Sequence, residues 1–198
     1  MLGSETKPDE ILRGLEQSLL RNINYKFHLF GDKNKIYKIL KKFKQLEKAV
    51  EITDCSESIL MDDKPSEIIK TKTASSMYLA IKSVEEKRSD AMLSFGNTGA
   101  LMTLSLLNIR TLSEIKRPSI ASIWPNMRGE SIVLDLGANT KLSSKYLVDS
   151  AILGSSLASI LFKVDKPSVG ILNVGKEEIK GNDEIKNASD RLQELKKS

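Results

Sequence analysis

One cysteine, Cys55, and one histidine, His28, are all that the 198 residues contain of either type. A lone cysteine excludes an intramolecular disulfide and points to a reducing compartment. The two residues are far apart and show no metal-ligand spacing. Nor is there a Cys–His or Ser–His pairing pattern of the kind nucleophilic catalysis uses. Aromatic residues make up 5% of the chain, with a single tryptophan, Trp124, expected to pack in the interior. No window of 18 apolar residues occurs, so the sequence predicts no membrane-spanning segment. The opening "MLGSETKPDE" is polar and does not read as a signal peptide. Repeats, low-complexity tracts and linkers are missing too, so residues 1–198 read as one domain.

What is present is ordinary for a soluble globular chain: 40% hydrophobic and 29% charged residues. The net charge of +5 and a pI near 9.1 favour an acidic or phosphate-bearing partner. The competing explanation is plain solvation of helix faces, as in the lysine-rich "KNKIYKILKKFKQLEKAV".

Strand-like and helix-like patterns alternate. "EILRGLEQSLL" has helical spacing, and "YKFHLFG" alternates with a period of two and stops at a glycine. Asp32 is placed to cap the next helix. "AVEIT" reads as a strand, followed by a long loop containing Pro65 and a helix over "SSMYLAIKSVEEK". "DAMLSFG" is expected to be a strand and "NTGALMTLSLLNI" a helix. "PSIASIWP" and "ESIVLDLG", joined by a short turn, predict an antiparallel hairpin. A long, mostly buried helix is expected over Lys145–Phe162, a strand over Ser168–Gly175, and an amphipathic helix in the tail. Alternation of this kind is the signature of an α/β layered domain with a mainly parallel sheet.

Ligands in such sheets bind beyond the carboxyl ends of the strands. Three strand ends carry small or polar residues: "SFGNTGA", "LDLGAN" and "NVGKEEIKGN". "GNTG" lacks the third glycine and the later acidic residue of a dinucleotide fingerprint, which weighs against a nicotinamide-dependent dehydrogenase. No Gly-Lys-Ser/Thr follows it, so it is not a Walker loop either. Small residues still let the backbone approach a ligand, and free N–H groups at a helix start favour an anion. Ser94, Asn97 and Thr98 add side-chain donors. Asp135 can orient a donor, accept a proton or cap a helix. Lys180 can neutralise a phosphate or an oxyanion, or be a plain surface lysine. His28 lies on the strand pattern and reads as structural; Cys55 is assigned no chemistry.

In this order, "SFGNTGALM", "LDLGAN" and "NVGKEEIKGN" resemble the bacterial phosphate acyltransferase family of phospholipid synthesis (PlsX). "ESILMDDKPSE", "KTASSM" and "KRPSIA" fit the same family, and "FGD" fits the end of its second strand. The resemblance implies an incomplete three-layer αβα sandwich similar to phosphotransacetylases and isocitrate dehydrogenases. It implies transfer of an acyl chain from acyl carrier protein to inorganic phosphate, without an organic cofactor or metal. It further implies a homodimer, cytoplasmic and peripherally associated with the inner membrane face, working beside a glycerol-3-phosphate acyltransferase, with no nucleic-acid partner. On the matching motifs, Ser94, Gly96, Asn97, Thr98 and Gly99 would cradle phosphate. Asp135 and Asn139 would line the pocket, Asn173 and Glu177 would orient neighbours, and Lys180 would stabilise charge; Lys180, Asn97 and Asp135 are the candidate catalytic residues. Alternatives are a non-catalytic phosphate- or nucleotide-binding module and a phosphotransacetylase acting on acyl-CoA. The family's opening strand, followed by "DAMGGD", has no counterpart in "MLGSETKP", and the family continues beyond Ser198. A sheet without that strand exposes unpaired edges, so the chain alone is expected to be inactive or poorly soluble.

Overall fold

The computed structural model describes residues 3, 6–113, 115, 117–127, 129–136, 142–175 and 181–197. It divides into two compact units, Met1–Arg110 and Thr111–Ser198.

In the first unit, helix α1 (Pro8–Arg21) begins with proline, whose missing N–H costs nothing at a helix start. Asp9 and Glu10 in its first turn and Arg21 in its last suit the helix dipole. Strands β1 (Phe27–Gly31) and β2 (Val50–Asp54) pair in parallel, from Phe27 opposite Val50 to Gly31 opposite Asp54. Helices α2 (Lys33–Leu40) and α3 (Lys44–Glu47) make the crossover between them. Asp32 caps α2, its carboxylate accepting from the Lys35 N–H at 3.0 Å. Leu12, Leu29, Ile36, Leu40, Phe43 and Leu46 form one buried cluster. Helices α4 (Pro65–Thr71), α5 (Ser76–Glu85) and α6 (Thr98–Asn108) share a second, in which Ile59, Ile68, Met77, Ile81, Ala100 and Leu104 are buried. His28 is structural, as expected: its Nε2 lies 2.7 Å from Thr53 Oγ1, and its ring is 4.1 Å from that of Phe30.

The second unit carries the expected antiparallel hairpin, β3 (Ala121–Asn126) with β4 (Gly129–Leu134). Helix α7 (Ser144–Phe162) is capped by the Ser143 hydroxyl, and α8 (Asp183–Lys197) follows. Ser119 Oγ lies 2.9 Å from the Tyr146 hydroxyl and 3.0 Å from Ser150 Oγ, linking the hairpin's approach to α7. Gly154 lets α7 approach β4: a Cβ there would stand 2.6 Å from Leu134 Cδ1.

The mixture of parallel strands and packed helices makes this an incomplete α/β fold. Four local expectations change. "DAMLSFG" and Ser168–Gly175 join no ladder among the described residues. Both keep an alternation of exposed and half-buried residues, over Ala91–Phe95 and Ile171–Gly175, so the strand pattern is real but has no paired edge. Helix α7 is not mostly buried: only Gly154 and Ala158 are, while Ile152, Ile160 and Leu161 face outward. By length and composition it is also apolar enough to cross a membrane, because isoleucine, leucine and alanine outweigh its interspersed serines, Lys145 and Asp149. Trp124 is 55% exposed, since the hairpin face it occupies is uncovered among the described residues.

Candidate functional site

The turn between Ala91–Phe95 and α6 holds five of the predicted site residues: Ser94, Gly96, Asn97, Thr98 and Gly99. Gly96 sits where a side chain would be tight. A Cβ on it would stand 3.3 Å from the Gly3 carbonyl oxygen and 3.4 Å from Met77 Cε. The Ser94 hydroxyl accepts from the Gly96 N–H at 3.2 Å, which tightens the turn. Asn97 then caps α6, its Oδ1 accepting from the Ala100 N–H at 2.9 Å. Thr98 is exposed at the helix start, and neither its N–H nor that of Gly99 is bonded within the helix, as geometry dictates for a first turn.

The other half of the Asn97 amide does something the sequence did not reveal. Its Nδ2 donates to the carbonyl oxygens of Leu60 at 3.1 Å, Met61 at 2.9 Å and Asp63 at 3.0 Å. Asn97 is 8% exposed, so this donor is turned inward and clamps the loop that follows β2. The same loop is closed by the Leu60 N–H donating to Asp63 Oδ2 at 2.9 Å. One residue run further back, Glu57 bridges to Ser75, and the Ser76 N–H donates to the Glu57 carbonyl at 3.3 Å. Ser75 caps α5 through the Tyr78 N–H.

Three motifs spread over residues 57–102 thus converge within the first unit: "ESILMDDKPSE", "KTASSM" and "SFGNTGALM". Glu57 was not singled out from the sequence; one of its carboxylate oxygens is buried with no hydrogen-bond partner among the described residues. Its acidic type within a motif was the available signal. Cys55, close by in sequence, is buried, and burial pushes its thiol above the ordinary cysteine value, so it is a poor nucleophile.

In the second unit, Asp135 directly follows β4 with a left-handed φ of 60°, and its N–H donates to the Ile120 carbonyl at 2.8 Å. A non-glycine residue in that region marks local strain. Asn173 lies within the alternating segment Ile171–Gly175, its Oδ1 accepting from the Val174 N–H at 2.8 Å. Gly181, with φ of 93°, packs so closely that a Cβ would stand 2.8 Å from Asn173 Oδ1. Asn139, Glu177 and Lys180 lie outside the described residues.

Comparison with known proteins points one way. The family profile described as "Fatty acid synthesis protein" matches residues 1–198. The phosphate acyltransferase of Xanthobacter autotrophicus is 44% identical over 194 residues, which is 98% of this chain and 54% of the relative. Those of Sinorhizobium fredii and Chelativorans are 40% and 42% identical, again over 98% of this chain and 56% and 55% of the relatives. The chain spans about half the length of these curated relatives. The profile covers the three converging motifs and the strand-end residues alike, and the chain therefore belongs to the fatty acid synthesis protein family.

Proposed function

We propose that the chain carries the phosphate-binding part of a phosphate acyltransferase, which moves an acyl group from acyl carrier protein to inorganic phosphate in phosphatidic acid synthesis. The observation that carries this is the convergence of three motifs on the start of α6. Gly96 keeps the approach narrow, Thr98 is exposed, and the first-turn N–H groups lie beside it. Such a helix start holds a phosphate through N–H groups and the helix dipole. In this reading Ser94, Gly96, Thr98 and Gly99 hold phosphate, and Asn97 is a positioning residue, its amide already bonded to the cap and the Leu60–Asp63 loop.

A phosphate oxygen attacks the thioester carbonyl carbon. The new C–O bond forms, the C–S bond breaks, and the thiolate leaves and takes up a proton. Negative charge develops on the carbonyl oxygen, where fixed donors and a cation lower the barrier. Lys180 is assigned that cationic role. Asp135 is assigned a catalytic role, and Asn139, Asn173 and Glu177 are assigned to substrate binding. No covalent enzyme intermediate is needed, which agrees with the buried, weakly acidic Cys55. The names of the relatives support this assignment. The net charge of +5 suits an acidic carrier protein. A homodimer, and a cytoplasmic protein resting on the inner membrane face beside a glycerol-3-phosphate acyltransferase, belong to the same proposal. The outward Ile152, Ile160 and Leu161 of α7 are compatible with such contacts.

The test adds inorganic phosphate to the isotope-labelled chain and follows amide resonances, then assays acyl phosphate formation from acyl carrier protein. The expected result is a saturable shift at Thr98 and Gly99. No shift near α6 overturns the cradle. The chain alone is expected to bind phosphate without transfer; for the whole family domain, of which the chain spans about half, binding without transfer from any donor favours a binding module, and transfer from acyl-CoA alone favours the coenzyme A reading.

A further inference from the structure

Charge is distributed unevenly along the chain. Of the 16 residues from Lys33 to Lys48, seven are lysine and one, Glu47, is acidic. That excess of six positive charges is larger than the net +5 of the whole chain, so the remaining residues together are close to neutral. All seven lysines are exposed. The stretch covers α2 and α3, whose Ile36, Leu40, Phe43 and Leu46 are buried in one cluster with Leu12 and Leu29. What these helices show to solvent is therefore mostly lysine, with one exposed aromatic, Tyr37, whose ring centroid lies 5.7 Å from Lys33 Nζ. Lys41 stands four positions from Tyr37 and three from Lys38, so the three share the outward face of α2.

Solvation of a helix face does not require charge of one sign. Helices α1 and α8 mix acidic and basic residues. On α2, Lys35 and Lys38 stand three apart, a spacing at which like charges repel. Lys33 and Lys35 lie in its first turn, which holds no acidic residue and where the helix dipole disfavours a cation. Within the stretch only Lys35, with Asp32, and Lys42, with Asp9, form ion pairs among the described residues. Lys38, Lys41, Lys44 and Lys48 therefore leave a repulsion that an anionic partner relieves. The face also stands at the sheet edge where ligands bind. Helix α2 leaves β1 at its carboxyl end, and the Lys33 N–H donates to Asp54 Oδ1, at the carboxyl end of β2, at 2.9 Å. Nine residues further on, the Asp63 carbonyl accepts from Asn97 at the start of α6. Nine residues extend to about 30 Å at most, which bounds the distance from the start of α2 to the proposed phosphate cradle.

From these observations we infer that the lysine face of α2 and α3 is the docking surface for the acidic carrier protein that presents the acyl thioester. The assignment rests on the acyl-transfer reading and locates its partner. Lys38, Lys41 and Lys44 meet carboxylates of the carrier, and Tyr37 supplies an aromatic anchor beside them. An anionic membrane fits this face less well. Entry into a bilayer needs an apolar helix face, and that of α2 is already buried in the core.

The experiment titrates the isotope-labelled chain with purified holo-acyl carrier protein at low and at high salt. It is repeated with Lys38→Glu, Lys41→Glu and Lys44→Glu combined, and with arginine at the same three positions. Lys87→Glu, Lys163→Glu and Lys166→Glu combined serve as a control with the same change of charge. Amide shifts should fall on α2 and α3, and the parent's affinity should drop as salt rises. The glutamate variant should bind about tenfold or more weakly and lose most of the salt dependence. The arginine variant should bind like the parent, and the control should lose less than about threefold. Equal weakening by the control, shifts confined to other elements, or tighter binding of the same face to phosphatidylglycerol vesicles would overturn the docking face. No binding of the carrier to the parent chain would overturn it as well. The acyl-transfer reading stands in each of these cases, and falls only to the phosphate titration and the donor assay.

Discussion

Replacing Asn97 tests whether the inward amide holds the site together. Asn97→Ala removes two separable things. The first is the α6 cap, worth about 1 kcal/mol for an Asn-to-Ala change at such a position. The second is the donor to Leu60, Met61 and Asp63. One NH2 group has two hydrogens for three carbonyls, so it counts as two bonds, each with a net value of about 0.5–1.5 kcal/mol. The whole change should cost about 2–4 kcal/mol. Asn97→Ser separates the parts, because serine caps well but cannot reach three carbonyls; it should lose the clamp and keep the cap. Trp124 lies in the other unit, so its fluorescence is the wrong probe. Urea unfolding followed by amide exchange at Ala100 and Leu104 reports the correct region. If Asn97→Ser falls within 0.5 kcal/mol of the parent, about the scatter of a surface change, the clamp contributes nothing and the reasoning fails.

Two further outcomes follow from local geometry. Gly154→Ala should destabilise by about 1 kcal/mol, because its Cβ must displace the Leu134 methyl, and Leu134→Ala should relieve part of that in the double variant; thermal unfolding of the four proteins measures the coupling. Asp32 has a carboxyl held below its ordinary value of 3.8, first by the backbone bond from Lys35 and then by the Lys35 side chain. Its folded value is depressed, so the stabilisation is present above pH 3.8 and fades as the pH falls through the lower folded value. Asp32→Asn should flatten that part of the stability curve, and carboxyl-detected NMR titration should place Asp32 below a model peptide.

Local signals in the sequence carried much of the fold. Asp32 before a helical run announced a cap, and the period-two pattern over "YKFHLFG" announced β1, because both depend on neighbouring residues alone. The hairpin was legible for the same reason. Ala91–Phe95 shows the limit: alternation specifies which side chains share a face, but pairing needs an edge supplied from elsewhere. Helix α7 shows another, since an apolar composition is shared by helices that are covered and helices that are not. At the site, the small residues of "GNTG" were readable as a close approach. The partners of Asn97 were not, because they lie more than thirty positions away in sequence. Asn is an expected cap, and nothing in its type tells where the second half of its amide points.

The two strand pairs also differ in when they can form. In the hairpin, Asn126 meets Gly129 directly and the remaining pairs zip outward, a process of about 1–10 μs. The parallel pair cannot zip; Phe27 must wait for Val50, and the intervening helices must first fold back. Left to intrinsic speed, the second unit's sheet would form first. A ribosome adds about 5–20 residues per second, so roughly 3–13 s pass between the synthesis of Asp54, which completes the parallel pair, and that of Ala121. Synthesis direction, and not strand chemistry, therefore sets the order of assembly. The slower parallel pair closes without competition from the hairpin's exposed Ile123 and Trp124.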